Sequence, residues 1–167
     1  LLLDSFRIAR RSMDVVLMAI GGGFGYDWLR KTSSQEPELD IRFLGPVEPA
    51  DMPAYLAAAD IGLCPYSEAR STWIPDGVLN ELRAMDTPVI GGSMKIVEYS
   101  ASGLPVVCTD QAAFNKIGFE NVIFSGFSAD SYAKSIRIAA DSSRRRPSLI
   151  SEYDLSNLIR KFQEVLK

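Results

Sequence analysis

The segment of residues 95–110 constrains the fold more strongly than any other part of the sequence. Its first half carries apolar side chains at helical spacing, with Lys95 and Glu98 as the charged remainder. Gly103 can adopt the positive φ angle of a helix C-cap, and Pro105 cannot continue a helix. The apolar run after the proline suits a short strand that is buried on both faces. The segment therefore predicts a helix that leads directly into a buried strand of a parallel sheet.

The same alternation of helix and strand recurs along the rest of the chain. Apart from Asp14, residues 14–20 form a continuous apolar run that suits a strand buried on both faces, and further short strands are predicted at residues 41–45, 60–64 and 121–124. Helical patterns lie at residues 1–12, after an N-cap at Asp51, at residues 111–117, from an N-cap at Ser128 to about Asp141, and at residues 155–165. Short elements in this alternation predict an α/β fold with a doubly wound, mostly parallel, Rossmann-like sheet.

The composition argues against several classes of function. The 167 residues include no histidine, so histidine-based acid–base chemistry and the commonest transition-metal ligand are excluded from this chain. The net charge of −3 argues against a nucleic-acid surface, and no apolar run approaches the roughly 20 residues of a membrane span. A basic run, Arg144–Arg146, lies just past a predicted helix end, where cations complement the helix dipole. We expect this run to be a solvated face rather than a binding patch.

The two cysteines, Cys64 and Cys108, each lie in an apolar, strand-like run. This is the usual position of an inert buried thiol in a reducing compartment. The sequence therefore predicts a cytoplasmic protein, and we expect neither a bound metal nor a resident cofactor.

Two glycine-rich turns are candidate ligand sites. Residues 91–93 free backbone N–H groups where a helix begins, and a phosphate beside Ser93 and Lys95 would match the helix dipole. The turn that ends in Gly23 follows a predicted strand, and open α/β sheets bind ligands at the carboxyl ends of their strands. This turn lacks the G-x-G-x-x-G spacing, so a plain tight turn is an equally good interpretation.

The pattern Lys-x-x-Glu-Tyr-x-Ala-x-Gly-x-Pro-Val-Val, from Lys95 to Val107, resembles the donor-site helix of a known family. This family is the retaining glycosyltransferases of the GT-B fold, family 4-like, in their C-terminal nucleotide-sugar-binding domain. Further segments resemble the same domain in the same order, at residues 1–6, 15–23, 42–47, 52–63 and 65–67. Their order and spacing together make the resemblance fairly specific.

The resemblance implies roles for individual residues. Glu98 would accept hydrogen bonds from the ribose hydroxyls of the donor, and Lys95 would lie near its diphosphate. Val47 would line the site near the base, and Tyr66 and Ser67 near the sugar-phosphate. On spacing alone, a surface ion pair between Glu98 and Lys95, worth at most about 0.5 kcal/mol, is the simpler interpretation.

Residues 68–93 depart from the family pattern and are interpreted as an insertion. Glu98 corresponds to the second glutamate of the family's more widespread motif, and the first, eight residues earlier, is replaced here by Ile90. A weaker copy of the motif begins at Glu81, which is kept as a reserve candidate. We interpret this first copy as a structural helix followed by a strand-like extension at residues 87–90.

The resemblance implies a single donor-binding domain over residues 1–167, a fragment that lacks the N-terminal acceptor domain and the first, central strand of the sheet. It also implies a transferase that moves a sugar, with retention, from a nucleotide-diphosphate sugar to a glycan or lipid acceptor. Peripheral contact with a membrane is compatible with this function, without a transmembrane segment. The alternatives are a nucleotide-sugar 2-epimerase or glycogen-type synthase of the same fold, and a non-catalytic nucleotide-binding module.

Overall fold

The computed structural model of this chain describes residues 1–66, 94–110, 114 and 117–154. Within these ranges the strands are β1 (Leu17–Ile20), β2 (Ile41–Gly45), β3 (Gly62–Cys64), β4 (Val106–Thr109) and β5 (Val122–Ser125). The α-helices are α1 (Leu2–Arg10), α2 (Phe24–Ser33), α3 (Met52–Ala58), α4 (Met94–Ala101) and α5 (Ala129–Ala140). Two 3₁₀ helices span Pro37–Leu39 and Ser148–Tyr153. No helix in these ranges combines the length and apolarity needed to cross a membrane.

The five strands confirm the predicted parallel α/β fold. Strand β1 pairs with β2, and β3, β4 and β5 pair in that order, all in parallel. Strand β4 is buried at all four residues and is entirely apolar up to its last residue, as a strand covered on both faces should be, whereas β2 alternates half-buried and exposed residues. The register places Cys64 opposite Cys108 on adjacent strands.

Alternate residues of the three-stranded sheet face opposite helical layers. Val106 and Cys108 of β4 pack in a cluster with Ile96 of α4. Val107, which lies between them, packs instead against Tyr132 and other apolar residues of α5. This period of two is the geometry of a strand between two layers, so the sheet is wound on both faces.

The described strands form two parallel sheets, one of β1 and β2 and one of β3, β4 and β5. Within the described ranges β1 pairs only with β2 and β3 only with β4. The two parts nevertheless share a core, because Leu63 of β3 packs against the cluster that contains Leu17 of β1. Residues 87–90, the extra strand-like segment, lie outside the described part of the chain.

The helix termini match the predictions in part. Ser128 is the N-cap of α5, and its hydroxyl accepts a hydrogen bond from the N–H of Ser131 at 3.2 Å. Asp51 precedes α3 as predicted, but its side chain makes no capping hydrogen bond, and its backbone is helical rather than extended. Most of the helix predicted at residues 111–117 and the whole of the final helix at 155–165 lie outside the described residues.

The arginine run at residues 144–146 is exposed, as predicted, but it meets different helix ends from those expected. Its side chains hydrogen-bond to carbonyl oxygens at the ends of α3 and α4, not at the end of the preceding helix α5. The sequence prediction considered only the nearest helix along the chain. In the fold, the chain after α5 instead passes the C-terminal ends of two helices that come earlier in the sequence.

Candidate functional site

Helix α4 presents its two charged residues on its exposed side. Ile96 and Ser100, one turn apart, are fully buried and anchor the opposite side to the sheet. Lys95 and Glu98 are three residues apart, and both are exposed. Since residues at this spacing lie on one helix face, the two charges point to the same region of the surface. This confirms the amphipathic helix that the sequence predicted.

The C-terminal end of α4 is fixed by a Schellman motif. Gly103 has a φ angle of 76°, and its N–H donates to the carbonyl oxygen of Ser100 at 2.9 Å. The N–H of Leu104 donates to the carbonyl oxygen of Tyr99 at 3.0 Å. Gly103 therefore has the predicted C-cap role, and the chain turns directly from α4 into β4.

Tyr99 packs directly on Gly62 at the start of β3. A Cβ atom built on Gly62 would lie 2.4 Å from Cδ2 and 2.9 Å from Cβ of Tyr99, so only glycine fits there. Burial, followed by the charges of Cys64 and Glu98, raises the pKa of Tyr99 to about 12, which keeps its hydroxyl neutral. The close contact holds α4 at a fixed distance from β3.

Tyr66 and Lys95 both influence Cys64, the last residue of β3. Burial raises the pKa of the Cys64 thiol to about 12, and the Lys95 charge and a hydrogen bond with Tyr66 oppose that shift. Both side chains therefore lie within electrostatic reach of Cys64. The Tyr66 ring packs against Phe114, with ring centroids 5.0 Å apart.

Gly23 and Val47 follow the carboxyl ends of the paired strands β1 and β2. The N–H of Gly21 donates to the carbonyl oxygen of Gly45 at 2.8 Å, which ties the glycine turn to the end of β2. Gly23 is the N-cap of α2 with a φ angle of 94°, and a Cβ built on it would touch nothing within 4 Å. Here glycine is required by the backbone angle, and the space above the turn is open. Val47, two residues after the end of β2, is half-buried.

The predicted site residues thus fall into two described groups at strand ends. Gly23 and Val47 lie at the end of β1 and β2, whereas Tyr66, Lys95 and Glu98 lie at the end of β3 and on α4. Ser67, Ser93 and the reserve candidate Glu81 lie outside the described residues. The ion pairs between described residues do not include one between Lys95 and Glu98, which the simpler interpretation of these two charges requires.

A known family matches most of the chain. Residues 1–141 match the family described as glycosyl transferases group 1. The chain belongs to this family. No curated protein matches the sequence. The parallel strands with helices on both faces are consistent with a GT-B-like glycosyltransferase domain, and the matched region contains all the predicted site residues.

Two structural features of this glycosyltransferase domain were not predicted from the sequence. Tyr26 of α2 accepts a hydrogen bond from the N–H of Gly45 at 2.9 Å, and its ring packs edge-on against Phe43 at 5.3 Å. Arg144 bridges the ends of α3 and α4. The run of arginines after α5 was the only signal for the second feature, and it does not specify the partner helices.

Proposed function

We propose that this glycosyltransferase domain binds the nucleotide-diphosphate part of an activated sugar. The observation that carries the proposal is the geometry of α4. Ile96 and Ser100 fix one side of this helix in the core, while Lys95 and Glu98 project from the other side near the end of β3. Parallel α/β sheets bind ligands at this edge.

The two charges suit different parts of the donor. The Glu98 carboxylate is an acceptor for two ribose hydroxyls, and a charge-assisted pair of this kind fixes the orientation of the nucleoside. The Lys95 ammonium and the N-terminal end of α4 would offset the negative charge of the diphosphate. That charge grows as the bond between the sugar and the diphosphate breaks, so the same groups stabilise the leaving group in the transition state.

The other candidate residues would surround the same ligand. Val47 and the open turn at Gly23 offer an apolar contact and an unobstructed backbone at the nucleoside end of the site. Tyr66 and Ser67 would contact the sugar-phosphate end. Retention of configuration is part of the proposal through the family resemblance alone.

The acceptor is a glycan or lipid that a second domain presents, as part of a larger protein. We therefore expect the 167-residue chain to bind the donor but not to transfer its sugar by itself, because no acceptor is positioned. We place the reaction in the cytoplasm, in accordance with two buried free cysteines. A donor-turnover assay with and without the acceptor domain tests whether the two steps are divided between two domains. Sugar transfer at equal rates in both assays would contradict this proposal.

Calorimetry on the chain tests donor binding directly. We expect uridine or guanosine diphosphate, or the matching sugar conjugates, to bind equally well with and without a chelator of divalent ions. This expectation rests on the lysine and helix terminus as the counter-charges for the diphosphate. Absence of binding by the whole panel at millimolar concentration would refute the proposal and favour a module with another role.

Variants of Glu98 test the assignment of the motif. Loss of a charge-assisted hydrogen bond costs about 1.5–3 kcal/mol, so Glu98→Ala should weaken nucleotide binding about ten- to a hundredfold. Glu81→Ala in the weaker copy should have almost no effect. Glu38→Ala is the matched control, because this glutamate is exposed and lies in the 3₁₀ helix before β2, outside the motif. A larger loss of affinity in Glu81→Ala than in Glu98→Ala would show that the ribose contact belongs to the copy of the motif at Glu81, and would refute its assignment to Glu98.

A further inference from the structure

The Arg144 guanidinium joins two helices that are separate in the sequence. Its Nη1 donates to the carbonyl oxygens of Ala57 at 2.9 Å and Ala59 at 3.1 Å. Its Nη2 donates to the carbonyl oxygens of Leu56 at 3.1 Å and Ser102 at 3.2 Å. The first three acceptors end α3, and the fourth follows the last residue of α4. All four terminal N–H groups of the guanidinium are therefore matched by acceptors.

These acceptors need a cation from elsewhere in the chain. The last carbonyl groups of a helix have no partners within it and carry partial negative charge. Neither α3 nor α4 has a basic residue in its last turn. Arg144 supplies the missing charge to both helices, and Arg146 adds a hydrogen bond from its Nε to the carbonyl oxygen of Ala101. The backbone N–H of Arg145 donates to the carbonyl oxygen of Gly103 at 2.8 Å, which holds the segment in place.

The two bridged helices begin at the two groups of candidate site residues. Helix α3 follows the loop that contains Val47, and α4 contains Lys95 and Glu98 close to its start. Both helices are short, so a fixed contact at their C-terminal ends also restricts the relative position of their N-terminal ends. A lysine could not replace this contact, because an ammonium group lacks the planar fork that reaches four carbonyls.

From this geometry we infer that Arg144 is a positioning residue for donor binding, which it supports by holding α3 and α4 in a fixed relative orientation. The inference rests on the proposed donor site. Arg144 does not touch the donor in this scheme. Its effect on affinity passes through the placement of Val47 on one side and of Lys95 and Glu98 on the other.

The test compares Arg144→Ala and Arg144→Lys with Arg145→Ala, which removes the same charge from the neighbouring position but keeps its backbone hydrogen bond. Nucleotide affinity is measured by calorimetry with uridine and guanosine diphosphate at a temperature where each chain is fully folded. Amide hydrogen exchange of Ser102 and Gly103 reports the α4 end independently of any ligand. Both Arg144 variants should weaken nucleotide binding by about three- to thirtyfold and speed exchange at these amides, with little change for Arg145→Ala.

Each outcome distinguishes the inference from the function on which it rests. Faster exchange with unchanged affinity would mean that Arg144 only stabilises the helix ends, and this would overturn the positioning role. Full affinity in Arg144→Lys would show that charge alone suffices and would refute the bridging geometry. If the unmodified chain binds no nucleotide, the donor site itself is wrong and the inference falls with it, while the exchange data still report whether the bridge exists.

Discussion

Replacement of Gly62 by alanine tests the contact that positions α4. The added Cβ would lie 2.4 Å from Cδ2, 2.7 Å from Cγ and 2.9 Å from Cβ of Tyr99. To reach an ordinary contact near 3.4 Å, the Tyr99 side chain must retreat by about 1 Å. Rotation of the Tyr99 ring cannot relieve the contact between the added Cβ and the Cβ of Tyr99. Part of the movement must therefore come from the backbone of α4.

Overpacking of this kind costs about 1–3 kcal/mol in free energy of unfolding. At about 2–4 °C per kcal/mol for a chain of this size, Gly62→Ala should lower the Tm by roughly 2–12 °C. The same displacement moves Lys95 and Glu98, so nucleotide affinity should fall in the fraction that remains folded. Urea denaturation, thermal unfolding and calorimetry measure the three effects on one preparation.

Gly25→Ala is the matched control for this substitution. A Cβ on Gly25 in the first turn of α2 would meet no atom within 4 Å. The same chemical change should therefore be neutral or stabilise the protein by up to about 1 kcal/mol, since alanine favours helix. In a Tyr99→Ala background, the cost of Gly62→Ala should become smaller because the ring atoms are absent. A Gly62→Ala protein as stable as the unmodified chain would refute the packing argument.

Three further predictions follow from buried or paired groups. Tyr132→Phe removes a 2.8 Å hydrogen bond to a carbonyl of β4 and should cost about 1 kcal/mol, measured by chemical denaturation. Burial raises the pKa of Cys64 and Cys108 to about 12. Both thiols should therefore resist a thiol reagent at neutral pH until the chain unfolds, and rapid labelling of the folded protein would contradict this. The hydrogen bond from Arg7 lowers the pKa of Glu36 below 4.5. The small stability advantage of the unmodified protein over Glu36→Gln should therefore be complete above pH 4.5 and disappear as the pH falls through the lowered pKa. A stability advantage that grows in acid would contradict the pairing.

The sequence alone determined the order and type of the main elements. Apolar runs, helical spacing and the positions of Gly103 and Ser128 are local signals, because burial and capping depend on residues close together in the chain. The five strands and four of the five helices in the described ranges lie where these signals placed them, whereas the sequence analysis did not predict α2. The resemblance carried by residues 95–107 added the family, which the match over residues 1–141 confirmed.

Only the tertiary structure decided which distant groups meet. The arginine run was expected to serve the helix before it, but Arg144 reaches the carbonyls of two other helices. Gly62 gave no sequence signal, since its requirement for glycine comes from Tyr99 across the helix–sheet contact. The hydrogen bond between the Tyr26 hydroxyl and the N–H of Gly45 likewise joins residues that are far apart in the sequence. Such contacts depend on how closely packed layers approach, and that distance is set jointly by residues far apart in the chain rather than by any local pattern.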